Sequence, residues 1–186
     1  MTGRHVALLR GINVGKAKRV AMADLRALVE SLGYDDVQTL LNSGNVLFSA
    51  PKTTPATAAA RIEKALAAQL GVSARVTAVS AEEVAEIVAA NPLGAVATDP
   101  SRLLVAVFAD EASCRALLPL AARDWAPDAL ALGRRAAYLW CAAGVLDSPL
   151  SKAAGKAWGD AATTRNWATM LKLLALAAPG DRPDAA

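Results

Sequence analysis

The apolar run Val6–Leu9 stops at Arg10 and gives way to Gly11-Ile12-Asn13-Val14-Gly15-Lys16-Ala17-Lys18-Arg19. From Arg10 to Arg19 the chain holds two glycines and four cations, and no acid precedes Asp24. A buried strand must end where its backbone returns to water, and glycine permits turns that other residues resist. The pattern predicts a strand over residues 4–10 that brings a positive, Gly-rich loop to the surface. Such a loop suits an anion.

The remaining pattern predicts alternating short elements. A helix from about Met22 to Leu32 places Met22, Leu25, Leu28, Val29 and Leu32 on one face, with Gly33 just beyond it. Val37–Leu41 and Val46–Phe48 read as two short strands, or one kinked strand, around Asn42-Ser43-Gly44-Asn45. Thr54-Pro55 opens a helix with the stripe Ile62, Leu66 and Leu70, and Val72–Val79 is a further strand. Ser80-x-x-Glu83 is a capping box, and Val84, Ile87 and Val88 face inward from the helix that it starts. Asn91-Pro92 ends that helix.

After a loop the pattern resumes. Leu103–Ala109 reads as a strand buried on both faces, and Asp110 caps a helix through about Leu118. Ala129–Leu132 and Ala136–Cys141 bracket a hairpin at Gly133-Arg134-Arg135. Ser148-Pro149 starts another helix, and Thr164 caps the last, with Trp167, Met170, Leu171 and Leu174 inward. Residues 179–186 read as a disordered tail. The expectation is an α+β protein of two packed ferredoxin-like (split βαβ) halves with extra helices, residues 1–92 and 93–178. The last strand of the second half is not visible in the sequence.

Composition narrows the function classes. The chain is 54% hydrophobic and 20% charged, which is ample for a core, although much of the apolar share is alanine. No run approaches a membrane span, and Arg10 interrupts the first apolar stretch, so no secretory leader is expected. Cys114 and Cys141 read as free thiols of a cytoplasmic protein, and with one histidine no structural zinc is expected. Residues 1–23 carry five cations and no acid, and residues 148–178 carry Lys152, Lys156, Arg165 and Lys172 against Asp160 alone. If the two ends converge, the molecule has one basic face; otherwise these are two solvated patches.

Leu8-Leu9-Arg10-Gly11-Ile12-Asn13-Val14-Gly15, Met22-Ala23-Asp24-Leu25, Ser43-Gly44-Asn45-Val46 and Thr164-Arg165-Asn166-Trp167 together resemble the signatures of the domain of unknown function 1697 family of bacterial proteins. The resemblance spans roughly residues 4–176. It implies a small cytosolic α+β protein with ferredoxin-like elements, and it implies no activity. This chain departs from the family at Lys16, where a second glycine is usual, at Lys18, where asparagine is usual, and at Ala168, where asparagine is usual.

Several motifs could carry chemistry. Gly11–Ala17 fails as a nucleotide-hydrolase P-loop, because only three residues separate its glycines and Ala17 stands where a metal-binding hydroxyl belongs. A looser anion cradle and a plain cationic turn both remain open. Arg165, read as the first residue of a helix, sits against the helix dipole and could receive an anion or pair with a carboxylate elsewhere. Ser43-Gly44-Asn45 offers a hydroxyl and an amide but is also ordinary turn chemistry, and Trp167 is in phase with a core stripe. Adjacent Ser151 and Lys152 diverge on a helix and make no dyad. His5 has no motif partner for a triad.

The expected ligand-binding set is Arg10, Asn13, Lys16, Lys18, Ser43, Asn45, Arg165 and Asn166, converging on one site for a phosphate- or carboxylate-bearing small molecule. No catalytic residue, metal or cofactor is expected, and the oligomeric state is not legible. The rival partners are a nucleic acid, which the charge asymmetry allows but the 4% aromatic content disfavours, or a protein partner with no ligand.

Overall fold

Two four-stranded antiparallel sheets organise the computed structural model, which describes residues 3–13 and 19–178. The first is built from β1 (Arg4–Leu9), β2 (Asp35–Leu40), β3 (Asn45–Ser49) and β4 (Val76–Ser80), in the order β2-β3-β1-β4. The second is built from β5 (Leu103–Phe108), β6 (Ala129–Leu132), β7 (Ala136–Trp140) and β8 (Ala162–Asn166), in the order β6-β7-β5-β8. Each sheet thus places its fourth, first, third and second strands side by side. That is the order of a split βαβ unit.

Helices α1 (Met22–Ser31) and α2 (Pro55–Leu70) cover one face of the first sheet. Helices α4 (Glu111–Arg115) and α6 (Pro149–Trp158) cover the outer face of the second, with α5 (Leu118–Ala121) beside β6. Between the sheets lie α3 (Ala81–Ala89) and α7 (Trp167–Ala177). Alternation along the strands explains the layers. Ala7 and Leu9 of β1 point to α1 and α2, while Val6 and Leu8 point into the middle core with Val105, Val107 and Tyr138 of the second sheet. The Tyr138 hydroxyl donates to the Ile87 carbonyl at 2.6 Å, so this buried phenol joins the second sheet to α3. Burial pushes its pKa up to about 12.

Most predicted elements form, with instructive differences. The missing strand is β8, paired with β5 through Ala106↔Thr164 and Val105↔Arg165. The segment Ala-Thr-Thr-Arg-Asn has no apolar run, so only its partner strand identifies it. Thr164 therefore does not cap the last helix, and Arg165 is not its first residue. Asn166 is the cap, its Oδ1 accepting from the Thr169 amide at 2.9 Å.

That shift also rephases α7. Thr169, Met170, Leu173 and Ala177 are buried, Trp167 and Leu174 are partly buried, and Leu171 is 42% exposed instead of inward. The helix after Asp110 breaks into α4 and α5, with Pro119 in the first turn of the second piece. The strand expected over 72–79 starts only at Val76. The tail 179–186 lies outside the described residues.

The sheets meet where edge strands β4 and β8 approach. There the Thr77 and Thr163 hydroxyls, both buried, lie 3.0 Å apart. A lone buried hydroxyl costs about 1–3 kcal/mol, whereas replacing both partners by apolar groups of the same shape is nearly neutral. Thr77→Val and Thr163→Val should each lower unfolding stability by roughly 1 kcal/mol, and the double variant should recover most of the loss. Urea titration of the four proteins checks this; additive losses would show that the hydroxyls do not interact.

Candidate functional site

The end of β1, the β2–β3 turn and β8 converge on one side chain. Arg165 sits on β8 and extends toward the first sheet, where its guanidinium is buried. Nε donates to Asn45 Oδ1 at 2.5 Å, and Nη1 donates to the Thr164 carbonyl at 2.7 Å. Nη2 reaches the carbonyls of Leu9, Ser43 and Gly44 at 2.8, 2.9 and 3.2 Å. A guanidinium has five N–H donors, so one on Nη1 has no partner among the described residues. No carboxylate among the described residues pairs with it. Its charge is held by carbonyl and amide dipoles. Burial pulls its pKa down to about 10, which leaves it protonated at neutral pH.

The turn that it grips is shaped for the grip. Gly44 has φ +80°, and a Cβ there would lie 2.6 Å from Ile12 Cδ1 and 2.8 Å from Leu9 Cβ, so the position excludes a side chain on both grounds. Asn45 is fully buried and donates to the Leu40 carbonyl and Ser43 Oγ while accepting from Arg165. Asn13, itself at φ +55°, donates to the carbonyls of Val20 and Asn42, and its Oδ1 accepts from the Val20 amide. It staples both ends of the first loop to the second turn.

The expected ligand set therefore splits. Asn13, Asn45, Arg165 and Asn166 all hold partners inside the protein, and in Asn166 it is Oδ1 that does so. The sequence shows their residue types but not these internal partners. Lys16 and Lys18 lie outside the described residues. Of the expected set, Arg10, Ser43 and the largely buried Arg165 line a hollow of about 500 Å³ between the halves.

Gly11, Leu104, Val145, Ser151, Gly155, Trp158 and Thr164 also line that hollow. Arg10 Nη1 donates to the Ala162 carbonyl at 2.5 Å, and Nε lies 3.5 Å from Asp160 Oδ1. The Arg10 side chain is 33% exposed and that of Asp160 79%, so this is a surface pair, which holds weakly and yields readily. A second hollow of about 660 Å³ opens on the other side of Arg10, lined by Gly11, Glu63, Lys64, Ser73, Arg75 and Asp160.

Sequence reasoning missed the α6 wall. Ser151, Gly155 and Trp158 are spaced i, i+4, i+7 and share one helix face. The available signal was Gly155 itself. A mid-helix glycine costs roughly 0.5–1 kcal/mol relative to alanine, and α6 is otherwise rich in alanine. Gly155 has no positive φ, and a Cβ there would meet nothing within 4 Å. Packing does not demand the glycine, and the space that a side chain would take belongs to the hollow. Trp158, 9% exposed, packs edge-on to Phe108 at 6.1 Å between ring centroids. No described residue bonds Ser151 Oγ, Thr164 Oγ1 or the Trp158 indole N–H.

Two other features lie apart from this hollow. Cys114 and Cys141 are buried free thiols, and desolvation pushes both up. Among the described residues no group of three or more His, Cys, Asp or Glu side chains could hold a metal ion. No helix among them is long and apolar enough to cross a membrane.

Comparison with known proteins agrees with the signatures. Residues 1–138 match the family described as protein of unknown function (DUF1697). The chain belongs to that family. The match carries the Arg10 loop and the Ser43–Asn45 turn, while the Thr164–Trp167 signature lies beyond it. A solved structure, that of the conserved bacterial protein SP0830 from Streptococcus pneumoniae, is similar with a TM-score of 0.72 at 20% identity. The alignment covers 94% of this chain and 98% of that one, so the two share a fold. Among curated proteins nothing matches.

Two outcomes follow from this geometry. Arg165→Met strands several buried acceptors at about 1–3 kcal/mol each, so denaturant unfolding should show a loss of roughly 3 kcal/mol or more. Arg165→Lys should not restore it, because an ammonium cannot reproduce the planar fork. Gly155→Ala should instead raise stability by about 0.5–1 kcal/mol, measured the same way; a loss would mean that the glycine serves packing.

Proposed function

We propose that this protein binds a phosphate- or carboxylate-bearing small molecule in the hollow beside Arg10. The observation that carries the reading is the state of Arg10. Unlike Arg165, it keeps part of its guanidinium open, in a lined recess, with only an exposed aspartate for a counter-ion. An incoming anion displaces Asp160 at little cost and gains a charge-assisted bond. Gly11, exposed at φ +69°, leaves the backbone beside Arg10 uncovered by a side chain. The Ser43, Ser151 and Thr164 hydroxyls supply neutral donors around the rim.

What favours a small ligand over a nucleic acid is charge alternation along the seam. Glu63, Asp110 and Asp160 interrupt the cations there, whereas a phosphate backbone needs an uninterrupted basic track. The most exposed large apolar residues, Leu41, Val96, Leu118 and Leu146, lie in different segments of the chain, which gives a protein-adaptor reading little support. Buried, unoxidised thiols suit a reducing compartment, and the reading places the protein in the cytosol.

The test is thermal unfolding of the wild type and Arg10→Gln in phosphate, carboxylate and chloride solutions of equal ionic strength. General exclusion by phosphate stabilises both proteins alike. Site binding predicts an additional rise that is present in the wild type and absent in Arg10→Gln, since a ligand that binds only the native state raises its stability. Equal gains in both proteins would end the small-anion reading. Tight, Arg10-dependent binding of a single-stranded oligonucleotide would replace it with the nucleic-acid one.

A further inference from the structure

We infer that the ligand of this site is a planar aromatic compound carrying a phosphate or carboxylate, with its ring lodged against Trp158 and its anionic group at Arg10. The inference rests on the anion reading above and adds the chemical class of the ligand's body. It comes from the two unlike ends of one hollow. At the Arg10–Gly11 end the lining is cationic and backbone-rich. Elsewhere in the lining, Leu104 of β5, Val145 and Trp158 of α6 are apolar.

A bare phosphate or carboxylate uses only the first end. The volume of about 500 Å³ is far more than such an ion needs and falls in the range usual for sites that enclose an organic molecule. The open space over Gly155 lies along the wall that a ring would slide past, one turn from Trp158. A side chain there would fill the slot while leaving Arg10 untouched. Trp158 is already fixed edge-on by Phe108, so it offers a preorganised aromatic surface, to which offset or edge-on ring contacts add specificity. The unspent Ser151 and Thr164 hydroxyls and the indole N–H place donors around the ring position. A ring with oxygen or nitrogen at its edge uses them, and an aliphatic chain does not.

The experiment measures binding of two matched pairs, phenyl phosphate with methyl phosphate and benzoate with acetate, by calorimetry. The proteins are the wild type, Arg10→Gln and Gly155→Leu. The expected result is that at least one aromatic anion binds the wild type about tenfold or more tightly than its small counterpart, a difference of about 1.4 kcal/mol. Gly155→Leu should remove that preference and leave the small counterpart unchanged, while Arg10→Gln should weaken both members of the pair.

An aromatic anion that binds no better than its counterpart, or a preference that survives in Gly155→Leu, overturns the inference and leaves the anion reading standing. Binding of no member that depends on Arg10 overturns the anion reading, and the inference falls with it. Should Gly155→Leu unfold, Ser151→Leu narrows the same wall one turn earlier. A preference that survives in Ser151→Leu then overturns the inference in the same way.

Discussion

One guanidinium holds the two halves of this molecule in register. Arg165 reaches from the edge strand of the second sheet to the end of the central strand and the β2–β3 turn of the first, and it ends on carbonyls with no carboxylate. Burying a cation in this way is costly unless its donors are met. The cost is offset because β1, the Ser43–Asn45 turn and β8 all aim oxygens at the same place. Each of those elements is in turn constrained by the arginine. Gly44 must stay a glycine for the turn to close over Ile12, and Asn45 must be buried to present its oxygen. The charge is thus the organising centre of a polar knot between the two sheets.

The site lies beside this knot as a consequence. Two sheets that meet along edge strands leave a groove wherever their covering helices diverge, and here α2 and α6 diverge on either side of Arg10. The knot makes the groove's floor rigid, because Thr163, Thr164 and Arg165 are held in place by β5 on one side and by the first sheet on the other. The groove's own residues are less constrained. Arg10 holds the Ala162 carbonyl and, as its counter-ion, an exposed acid, and the small residues of α6 leave room. Rigid positioning next to unspent donors is the arrangement that recognition of a small molecule requires.

The family signatures acquire a physical meaning in this light. Arginine, asparagine and glycine in Leu-Leu-Arg-Gly-Ile-Asn, Ser-Gly-Asn and Thr-Arg-Asn-Trp look like ligand chemistry when read along the chain. In the folded protein several of them meet partners inside the molecule. Asn13 closes its own loop, Asn45 meets Arg165, and Asn166 caps α7. Arg10, Gly11, Ser43, Thr164 and Arg165 of these signatures line the hollow. The signal for the opposite wall was weaker still, a single mid-helix glycine with no local reason to be there.

Local rules sufficed for much of the fold. The strand of residues 4–9, the capping box at Ser80 and Glu83, the proline-led starts of α2 and α6, and the repeated order of elements follow from periodicity and capping, which act over a few residues. The sequence by itself determined those elements and that Arg10 would emerge at the end of a buried strand. Only the tertiary structure decided that Ala162–Asn166 is a strand, because its stability comes from hydrogen bonds to β5, some sixty residues away. Only it decided that Arg165 ends buried on internal carbonyls while Arg10 stays partly exposed. Whether an arginine meets an internal carbonyl or an open hollow depends on which distant backbone groups lie within hydrogen-bond reach, and nothing in the adjacent residues encodes that.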